Sequence, residues 1–343
     1  MTIERPGRVA ARVALRRFAA GLVLAALPLA AGAQWKPERP ITIIVPWAAG
    51  GATDQVTRVA AGELEEALGQ KIVIVNQPGA SGSIGTMNAL NAPRDGYTWT
   101  AGAPKQLGTY PVLGIANTKL DDFDLFISVT QVPIVSVNPN SPYKDMGELL
   151  AAMKAKPGQV SIATAGASSS GHVAAEAIAR ATGLKYRHVT YDGGNPAVIS
   201  TVSGETEVTT QLASEQSEMI RGKRLRPLAA VGNQPVEIEG YGTVPPITQW
   251  VKDLPQVATH FGIVIPKGVP PEVVATVDKA WREKIANSEK LRAYARQRTV
   301  LFTPMSGKQA YDAVWPTVQA DAWIIFDAGM AKTAPDKLGI PKP

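Results

Sequence analysis

Residues 41–54 read ITIIVPWAAGGATD, which has the order of a strand, a turn and the start of a helix. A short β-branched run ends at Pro46, a turn with two glycines follows, and Thr53 or Asp54 can cap the first turn of a helix. The helical spacing is carried by Val56, Val59, Ala60, Leu64, Ala67 and Leu68. Small residues between a strand and a helix leave backbone N–H groups accessible, and a helix N-terminus adds partial positive charge. The stretch therefore predicts an anion-binding site.

The first 33 residues have the layout of a secretory signal peptide. Five arginines precede an apolar run at 18–30, and Ala31-Gly32-Ala33 offers small residues for cleavage before Gln34. The apolar run is shorter than the about 20 residues that cross a bilayer, which disfavours an uncleaved anchor. We expect a general export signal, with twin-arginine export left open by Arg16 and Arg17, and a mature protein in the periplasm. A small-anion site there favours capture for uptake over metabolism.

Charge and composition disfavour several functional classes. Residues 1–33 hold five of the 35 basic and one of the 29 acidic residues, so the remainder carries a formal charge of +2. Since no basic run is interleaved with aromatic residues, we expect no nucleic-acid partner. The chain has no cysteine, which excludes a lipid anchor and thiolate chemistry, and only three histidines, His172, His188 and His260. We therefore expect no metal and no cofactor.

The order of apolar patterns predicts an α/β protein. About 310 residues follow the signal peptide, more than one core usually serves, so we expect two domains. We predict strands at 41–45, 72–76, 97–101, 125–129, 134–138, 160–164, 186–189, 207–212, 225–231 and 261–265. We predict helices at 54–68, 146–154, 172–182 and 195–202, then one after Pro270, one through Leu291 and Tyr294, and one over 307–328. Strands that are apolar on both faces and alternate with helices indicate mostly parallel sheets flanked by helices.

Three loops place small polar residues between a strand and a helix: residues 47–54, 76–85 and 165–172. In α/β sheets, ligands bind outside the carboxyl ends of strands, where such loops converge. Each loop alone could be an ordinary turn, but three of them favour a binding site built from backbone N–H groups and serine hydroxyls.

Other motif-based interpretations fail. The second loop lacks the Gly-Lys-Ser/Thr of a P-loop, and the spacing of Gly79, Gly82 and Gly85 is not a dinucleotide fingerprint. No Gly-x-Ser-x-Gly elbow occurs, and Ser-x-x-Lys at 141–144 lacks the partner motifs of penicillin-recognising enzymes. His172 is the one histidine in a suggestive place.

Motifs along nearly the whole mature chain carry a resemblance to a known family. They are WKPERPITIIVP with AAGGATD at 48–54, NQPGASGSIG at 76–85, DGYT at 95–98, NPNSPYK at 138–144, the serine-rich turn ending in His172, TYDGGNPA at 190–197, GKRLRPLA at 222–229 and GIVIPKGVP at 262–270. In this order the motifs resemble the Bug family, the substrate-binding proteins of tripartite tricarboxylate transporters. The resemblance implies a two-domain periplasmic-binding-protein fold of the Venus-flytrap, type II-like kind, which binds carboxylates.

The resemblance also implies the contact residues. They are Trp47, Ala49, Gly50, Gly51 and Asp54 in the first loop, Gly79, Ala80 and Ser81 in the second, and Ser168, Ser169, Ser170 and His172 in the third, with Tyr191 and Gly193 nearby. Trp47 stands where a phenylalanine is commoner, which we expect to shape the pocket towards aromatic ligands. The implied partners are the large and the small integral-membrane subunit of a permease.

The sequence thus predicts a monomeric receptor without enzymatic activity or catalytic residues. One domain would comprise residues 34–132 and 259–343 and the other residues 133–258, and the two would close on a mono-, di- or tricarboxylate. Two alternatives remain open: a periplasmic enzyme acting on a small acid, for which only His172 offers itself, and a receptor of an ATP-driven importer.

Overall fold

β-Branched runs form strands and apolar patterns with helical spacing form helices along the described chain. The computed structural model describes residues 1–2, 35–254 and 257–343, so almost all of the predicted signal peptide lies outside the described residues. In the described part the strands are Ile41–Val45 (β1), Ile72–Asn76 (β2), Thr98–Gly102 (β3), Phe123–Gln131 (β4), Ile134–Val137 (β5), Ser161–Thr164 (β6), Arg187–Thr190 (β7), Val208–Thr209 (β8), Arg226–Ala230 (β9), Val236–Ile238 (β10), Gly242–Val244 (β11), Thr259–Pro266 (β12) and Leu301–Ser306 (β13). The helices are Ala52–Leu68 (α1), Ser83–Leu90 (α2), Lys105–Leu113 (α3), Met146–Ala155 (α4), Ser170–Thr182 (α5), Gly194–Ser203 (α6), Ala213–Arg221 (α7), Pro271–Glu283 (α8), Glu289–Arg298 (α9) and Gly307–Asp327 (α10).

A six-stranded sheet has the order β13-β4-β12-β3-β1-β2. Strand β1 pairs in parallel with β2, Ile41 opposite Ile72, and with β3, Thr42 opposite Thr98. Strand β12 enters between β3 and β4 and is antiparallel to both. The sheet therefore contains strands from the beginning and from the end of the chain.

A five-stranded sheet has the order β7-β6-β8-β5-β9. Strand β6 is parallel to β7 and β8, whereas β5 is antiparallel to β8 and β9. All five strands come from residues 134–230, and only Val132 and Pro133 separate β5 from β4 of the six-stranded sheet. Strands β10 and β11 form a separate antiparallel hairpin. The two-domain boundaries stay a prediction, although each sheet takes its strands from one of the two predicted domains.

Both large sheets are mixed, where the sequence predicts mostly parallel sheets. Parallel neighbours need a crossover of a dozen or more residues, usually a helix, and β1–β2 and β6–β7 have one in α1 and α5. Strands β5 and β12 follow the passage from one sheet to the other, and each inserts antiparallel to its neighbours. An apolar run does not report which direction the neighbouring strand takes.

The predicted apolar face of α1 is buried against the six-stranded sheet. Val56, Ala60 and Leu64 are buried in one cluster with Ile43 and Trp281. Gly69 ends the helix at φ +67°, a left-handed conformation that favours glycine, and its N–H bonds Glu65 O. This packing fixes α1 so that its N-terminus lies at the carboxyl end of β1.

The C-terminal region packs on the rest of the chain. In α10, Val314, Val318 and Ile325 are buried, and the Arg180 guanidinium of α5 forms an ion pair with Asp327. Near the C-terminus, Pro335–Leu338 form a short 3₁₀ turn and Ile340 is buried. Among the helices of the described residues, none is long and apolar enough to cross a membrane.

Candidate functional site

Four helices begin at one small cavity. Gly51, Ser169, Gly193 and Leu212 are the N-cap residues of α1, α5, α6 and α7. The cavity has a volume of about 30 Å³, enough for about one water molecule. Its walls are Trp47, Gly51, Ala52, Thr53, Ala103, Gln106, Ala165, Ser169, Ser170, Gly194, Gln211, Leu212, Glu215 and Phe261. None of these residues carries a positively charged side chain, so any attraction for an anion comes from backbone N–H groups and helix dipoles.

The first predicted loop borders the cavity with two of its predicted residues, Trp47 and Gly51. The Trp47 ring lies so close to Gly82 that a Cβ there would meet it at 2.9 Å. Ala49 and Gly50 are exposed and are not part of the cavity wall. The structure therefore brings one half of the predicted first loop to the cavity.

Asp54 is buried, but its carboxylate is held by groups of its own region. It accepts hydrogen bonds from Gly50 N–H at 2.9 Å, from Arg58 Nε at 3.0 Å and from Asn76 Nδ2 at 3.0 Å. Burial raises its pKa, but these hydrogen bonds and the Arg58 charge outweigh burial and lower the pKa. Asp54 thus fixes the conformation of the first loop.

The second and third predicted loops touch each other. Ser168 Oγ donates to Ser81 O at 2.8 Å, and Gln106 Nε2 donates to Ser168 O at 3.1 Å. A Cβ on Gly166 would lie 2.6 Å from Ser81 Oγ, so this approach requires a glycine there. Gly79 and Ala80, like Ser81, are outside the cavity wall. The second loop therefore supports the third in this conformation.

The serine-rich loop reaches the cavity through Ser169 and Ser170. Ser169 Oγ caps α5 by accepting from His172 N–H at 3.2 Å, and Ser170 Oγ accepts from Thr259 Oγ1 at 2.9 Å. The His172 ring bonds Ala167 O through Nδ1 at 3.0 Å and pairs with Glu176 through Nε2 at 3.4 Å. Both ring nitrogens of His172 are thus engaged within its own helix and loop.

The last two predicted residues differ in position. The Tyr191 hydroxyl donates to Glu205 at 3.0 Å, outside the cavity wall. Gly193 has φ +153°, and a Cβ there would lie 2.8 Å from Ala48 Cβ. Ala48 N–H donates to Asp192 O at 3.3 Å, so the first loop and the turn before α6 are in direct contact.

Glu215 is the acidic residue in the cavity wall that the sequence reasoning missed. Its Oε1 accepts from Ala52 N–H, the first residue of α1, at 3.0 Å, and its Oε2 accepts from Leu212 N–H at 3.2 Å. With the Gln211 amide turned so that its nitrogen faces Glu215, it donates to Oε2 at 3.0 Å and accepts from Ala165 N–H at 2.7 Å. The predicted anion site at the start of α1 therefore already holds a carboxylate of the chain itself.

The surroundings of Glu215 act on its protonation in opposite directions. The side chain keeps some accessible surface where it borders the cavity, but protein surrounds the carboxylate closely. Burial raises the pKa of Glu215 to about 7, against the two backbone N–H donors of Ala52 and Leu212, which lower it. Glu215 occupies the third position of α7 and accepts from the N-cap N–H of Leu212, but the leucine side chain cannot complete a capping box, so the sequence carries no such motif here.

A larger cavity of about 430 Å³ lies away from these loops. It is bordered by α3, Trp315 of α10 and the C-terminal residues, with both basic and acidic side chains, among them Lys119, Asp121 and Lys337. It lacks the converging helix N-termini of the smaller cavity. No group of three or more His, Asp or Glu residues in the part of the chain described here could hold a metal ion.

Sequence comparison matches the chain to one protein family over most of its length. Residues 56–309 match the tripartite tricarboxylate transporter family receptor, TctC. The chain is 32% identical over 294 residues to a UPF0065 protein in the tcbD-tcbE intergenic region of Pseudomonas sp. (strain P51), covering 82% of this chain and 85% of that protein. It is 30% identical over 292 residues to Protein BugT of Bordetella pertussis (strain Tohama I), covering 83% and 89%.

Solved structures share the fold, and one of them is the periplasmic binding protein BugD. BugD superposes with a TM-score of 0.80 at 22% identity, covering 87% of this chain and all of that one (100%). R. palustris Rpa4515 with adipate has a TM-score of 0.77 at 24% identity, covering 86% and 99%. MatC from Rhodopseudomonas palustris with bound malate has a TM-score of 0.76 at 21% identity, covering 85% and 99%. The fold is that of a periplasmic solute-binding protein, two mixed sheets flanked by helices. The chain belongs to the tripartite tricarboxylate transporter receptor (TctC/Bug) family, as its motifs predict.

Proposed function

We propose that this receptor captures a small carboxylate at the cavity where α1, α5, α6 and α7 begin. The supporting observation is the convergence of four helix N-termini on one cavity whose wall contains no cation. Such a site binds an anion reversibly, because N–H groups and dipoles stabilise negative charge without forming an ion pair. Trp47 and Gly51 would supply one wall, and Ser169 and Ser170 the other. Malate and adipate, bound by the two neighbours, are the first candidates.

Binding requires the site to open. The cavity of about 30 Å³ is too small for a dicarboxylic acid. The contacts from Ser168 to Ser81 and from Ala48 to Asp192 join loops at the ends of the two sheets, so breaking them would separate the sheets. We propose that residues 34–132 with 259–343 and residues 133–258 act as two domains, with the short link at Val132 and Pro133 as one hinge strand. Ligand would shift the equilibrium between an open and a closed state.

The wider role follows from the family. We propose that the protein is exported, that its signal peptide is cleaved near Ala33, and that it works as a monomer in the periplasm. It would deliver its ligand to a permease of one large and one small membrane subunit.

A thermal-shift screen tests this function. A bound ligand stabilises the folded state by mass action, by about 2.7 kcal/mol at one hundred times Kd. We expect at least one of acetate, malate, adipate, citrate and benzoate to raise the Tm in a saturable manner. ATP and NAD should not, since the chain lacks their motifs. A saturable response to a nucleotide with none to any acid would contradict the proposal.

A further inference from the structure

The anion site at the start of α1 is occupied by Glu215, and this has a consequence for ligand binding. Glu215 lies in α7, and its carboxylate accepts a hydrogen bond from the backbone N–H of Ala52, which is 163 positions away in sequence. Its carboxylate also fixes its neighbours: a Cβ on Gly194 would lie 1.9 Å from Oε1, and one on Gly51 would lie 3.4 Å from it. The carboxylate is thus seated between α1, α6 and α7.

No cation is placed to neutralise both Glu215 and a ligand. The cavity wall has no lysine, arginine or histidine. A ligand carboxylate bound at the N-terminus of α1 would lie beside the Glu215 carboxylate, in a place where burial already disfavours charge. Two carboxylates in such contact cannot both stay ionised, and they share a proton instead.

The other titratable groups near Glu215 do not bring a positive charge to its carboxylate. From α1, Asp54 pairs with Arg58; from α5, His172 pairs with Glu176. From α9, the buried Tyr294 hydroxyl has its pKa raised by burial first and also by the Glu215 charge. On α7 itself Glu218 pairs with Arg221 and with Arg298 of α9, and the turn before α6 contributes the exposed Asp192. None of these pairs supplies a positive charge to the cavity wall.

We propose that capture of a carboxylate at this site takes up one proton from solvent, which the ligand and Glu215 then share. The balance is simple: two carboxylates and one proton become one hydrogen-bonded carboxyl–carboxylate pair, and no bond to carbon changes. The inference rests on the proposed function and adds a preference to it. The receptor would bind acids more tightly in mildly acidic than in alkaline medium.

The pH profile follows from the free state of Glu215. Burial raises the pKa of Glu215 to about 7. Below that pH the free protein already carries the proton, so affinity should change little. Above it the proton must come from solvent, and Kd should rise about tenfold for each pH unit.

Calorimetry on the parent protein counts the protons directly. The acid of the thermal-shift panel (acetate, malate, adipate, citrate, benzoate) that gives the largest stabilisation is titrated at pH 8 in HEPES and in Tris. Their different ionisation enthalpies report protons taken up, and we expect close to one. A count near zero at pH 8 would overturn the inference and leave carboxylate capture standing. Failure of every acid to bind at any pH between 5 and 9 would instead remove the proposed function, and the inference with it.

Two variants of α7 provide the matched comparison. Glu215→Gln removes the titrating carboxylate and keeps an oxygen that can accept from Ala52 N–H, so its Kd should vary less than threefold from pH 7 to 9. Glu218 lies three residues further along the same helix and is exposed, so Glu218→Gln should keep the parent's dependence of Kd on pH. If the Kd of Glu215→Gln depends on pH as strongly as that of the parent, the titrating group is not Glu215. Circular dichroism establishes that both variants are folded, and if Glu215→Gln does not fold, the proton count on the parent decides.

Discussion

The imidazole rings of His172 and His188 stack with their centroids 3.8 Å apart and their planes 5° from parallel. Glu176 lies beside His172, and Tyr186 donates its hydroxyl to the same carboxylate. His188 Nε2 and Thr164 Oγ1 are 2.6 Å apart, which ties the ring to strand β6. The pair lies behind the serine-rich loop, so its charge state affects the elements that carry that loop.

Stability should therefore fall in mild acid through His188. Burial, and next the His172 charge, lower the pKa of His188 to about 4, with Glu176 opposing. The unfolded chain binds this proton below about pH 6.5, whereas the folded chain binds it only near pH 4. This contribution to stability is present above pH 6.5 and is lost as the pH falls to 4. His188→Gln should flatten the dependence of stability on pH in urea unfolding experiments, because glutamine does not titrate. Glutamine can still bond Thr164, so the variant keeps this link to strand β6. Equal slopes in parent and variant would contradict the assignment.

Glu215 should act in the opposite direction over much of the same range. Its folded pKa of about 7 exceeds 4.5, the ordinary pKa of a glutamate, because burial disfavours the charged form. The folded chain therefore holds the proton over a range where the unfolded chain has lost it, and stability falls as the pH rises from 4.5 to 7. In urea unfolding without ligand at a series of pH values, the free energy of unfolding of Glu215→Gln should increase relative to that of the parent as the pH rises from 4.5 to 7. A constant difference between the two proteins would show that Glu215 does not titrate there.

Lys105 and Asp321 form an ion pair between α3 and α10 whose side chains are only 1% and 2% exposed. Burial raises the pKa of Asp321, and Lys105 opposes this. Lys105→Met leaves a buried carboxylate without a partner, which should cost about 3–5 kcal/mol in denaturant unfolding. Adding Asp321→Leu should recover most of that loss. The exposed pair Lys308–Asp312 is the control, where Lys308→Met should cost less than about 1 kcal/mol. A double variant as unstable as the single one would contradict this account.

Gly194 should tolerate no side chain while Glu215 keeps its place. A Cβ there would lie 1.9 Å from Glu215 Oε1, whereas a Cβ on Gly62 in α1 meets nothing within 4 Å. Gly194→Ala should cost about 1–3 kcal/mol by overpacking, and Gly62→Ala should stabilise α1 by up to about 1 kcal/mol. In Glu215→Ala the Gly194→Ala cost should largely vanish, since the obstructing carboxylate is gone. Additive costs in this double-mutant cycle would show that the two residues do not interact.

The sequence predicts the elements whose apolar pattern is strong and local. Strands β1 and β2 have the predicted bounds, 41–45 and 72–76, because their β-branched runs end at Pro46 and at the Asn-Gln-Pro-Gly turn. Helix α7 was missed because its buried residues are largely small or polar, among them Ser214, Gln216 and Ser217. Strand β13 was missed because Pro304 interrupts a short run at the sheet edge.

In the candidate site, too, the sequence predicts the parts that depend on local patterns. The loops at 47–54 and 165–172 were predicted from local strand–loop–helix patterns, and the family resemblance implied Gly51, Ser169 and Ser170 within them; these three residues line the cavity. The hydrogen bond between Glu215 and Ala52 joins helices α7 and α1, which follow strands of different sheets. No local pattern encodes a contact of that separation, so only the folded chain reveals it.

A pair of serine variants separates a ligand role of Ser169 from its capping role. Ser169 Oγ caps α5, so Ser169→Ala should lose about 1 kcal/mol of stability whether or not ligand binds. Ser288 caps α9 in the same way, accepting from Leu291 N–H at 3.1 Å, and it is not part of the cavity wall. If Ser169 also bonds the ligand carboxylate, Ser169→Ala should weaken binding about 10- to 150-fold, the equivalent of about 1.5–3 kcal/mol, and Ser288→Ala should leave Kd unchanged.

Gly51→Val should remove binding almost completely, but by crowding and without backbone strain. Gly51 has φ −74°, a conformation that any residue adopts, so a valine there would not strain the backbone. A Cβ there already lies 3.4 Å from both Ala48 O and Glu215 Oε1, and the two methyl groups of valine would fill the approach to Ala52 N–H. Calorimetry gives the affinities, and circular dichroism with thermal melting establishes that each variant is folded. If Gly51→Val binds the acid like the parent, the anion lies away from the N-terminus of α1. If Ser169→Ala and Ser288→Ala bind alike, the serine serves the helix alone.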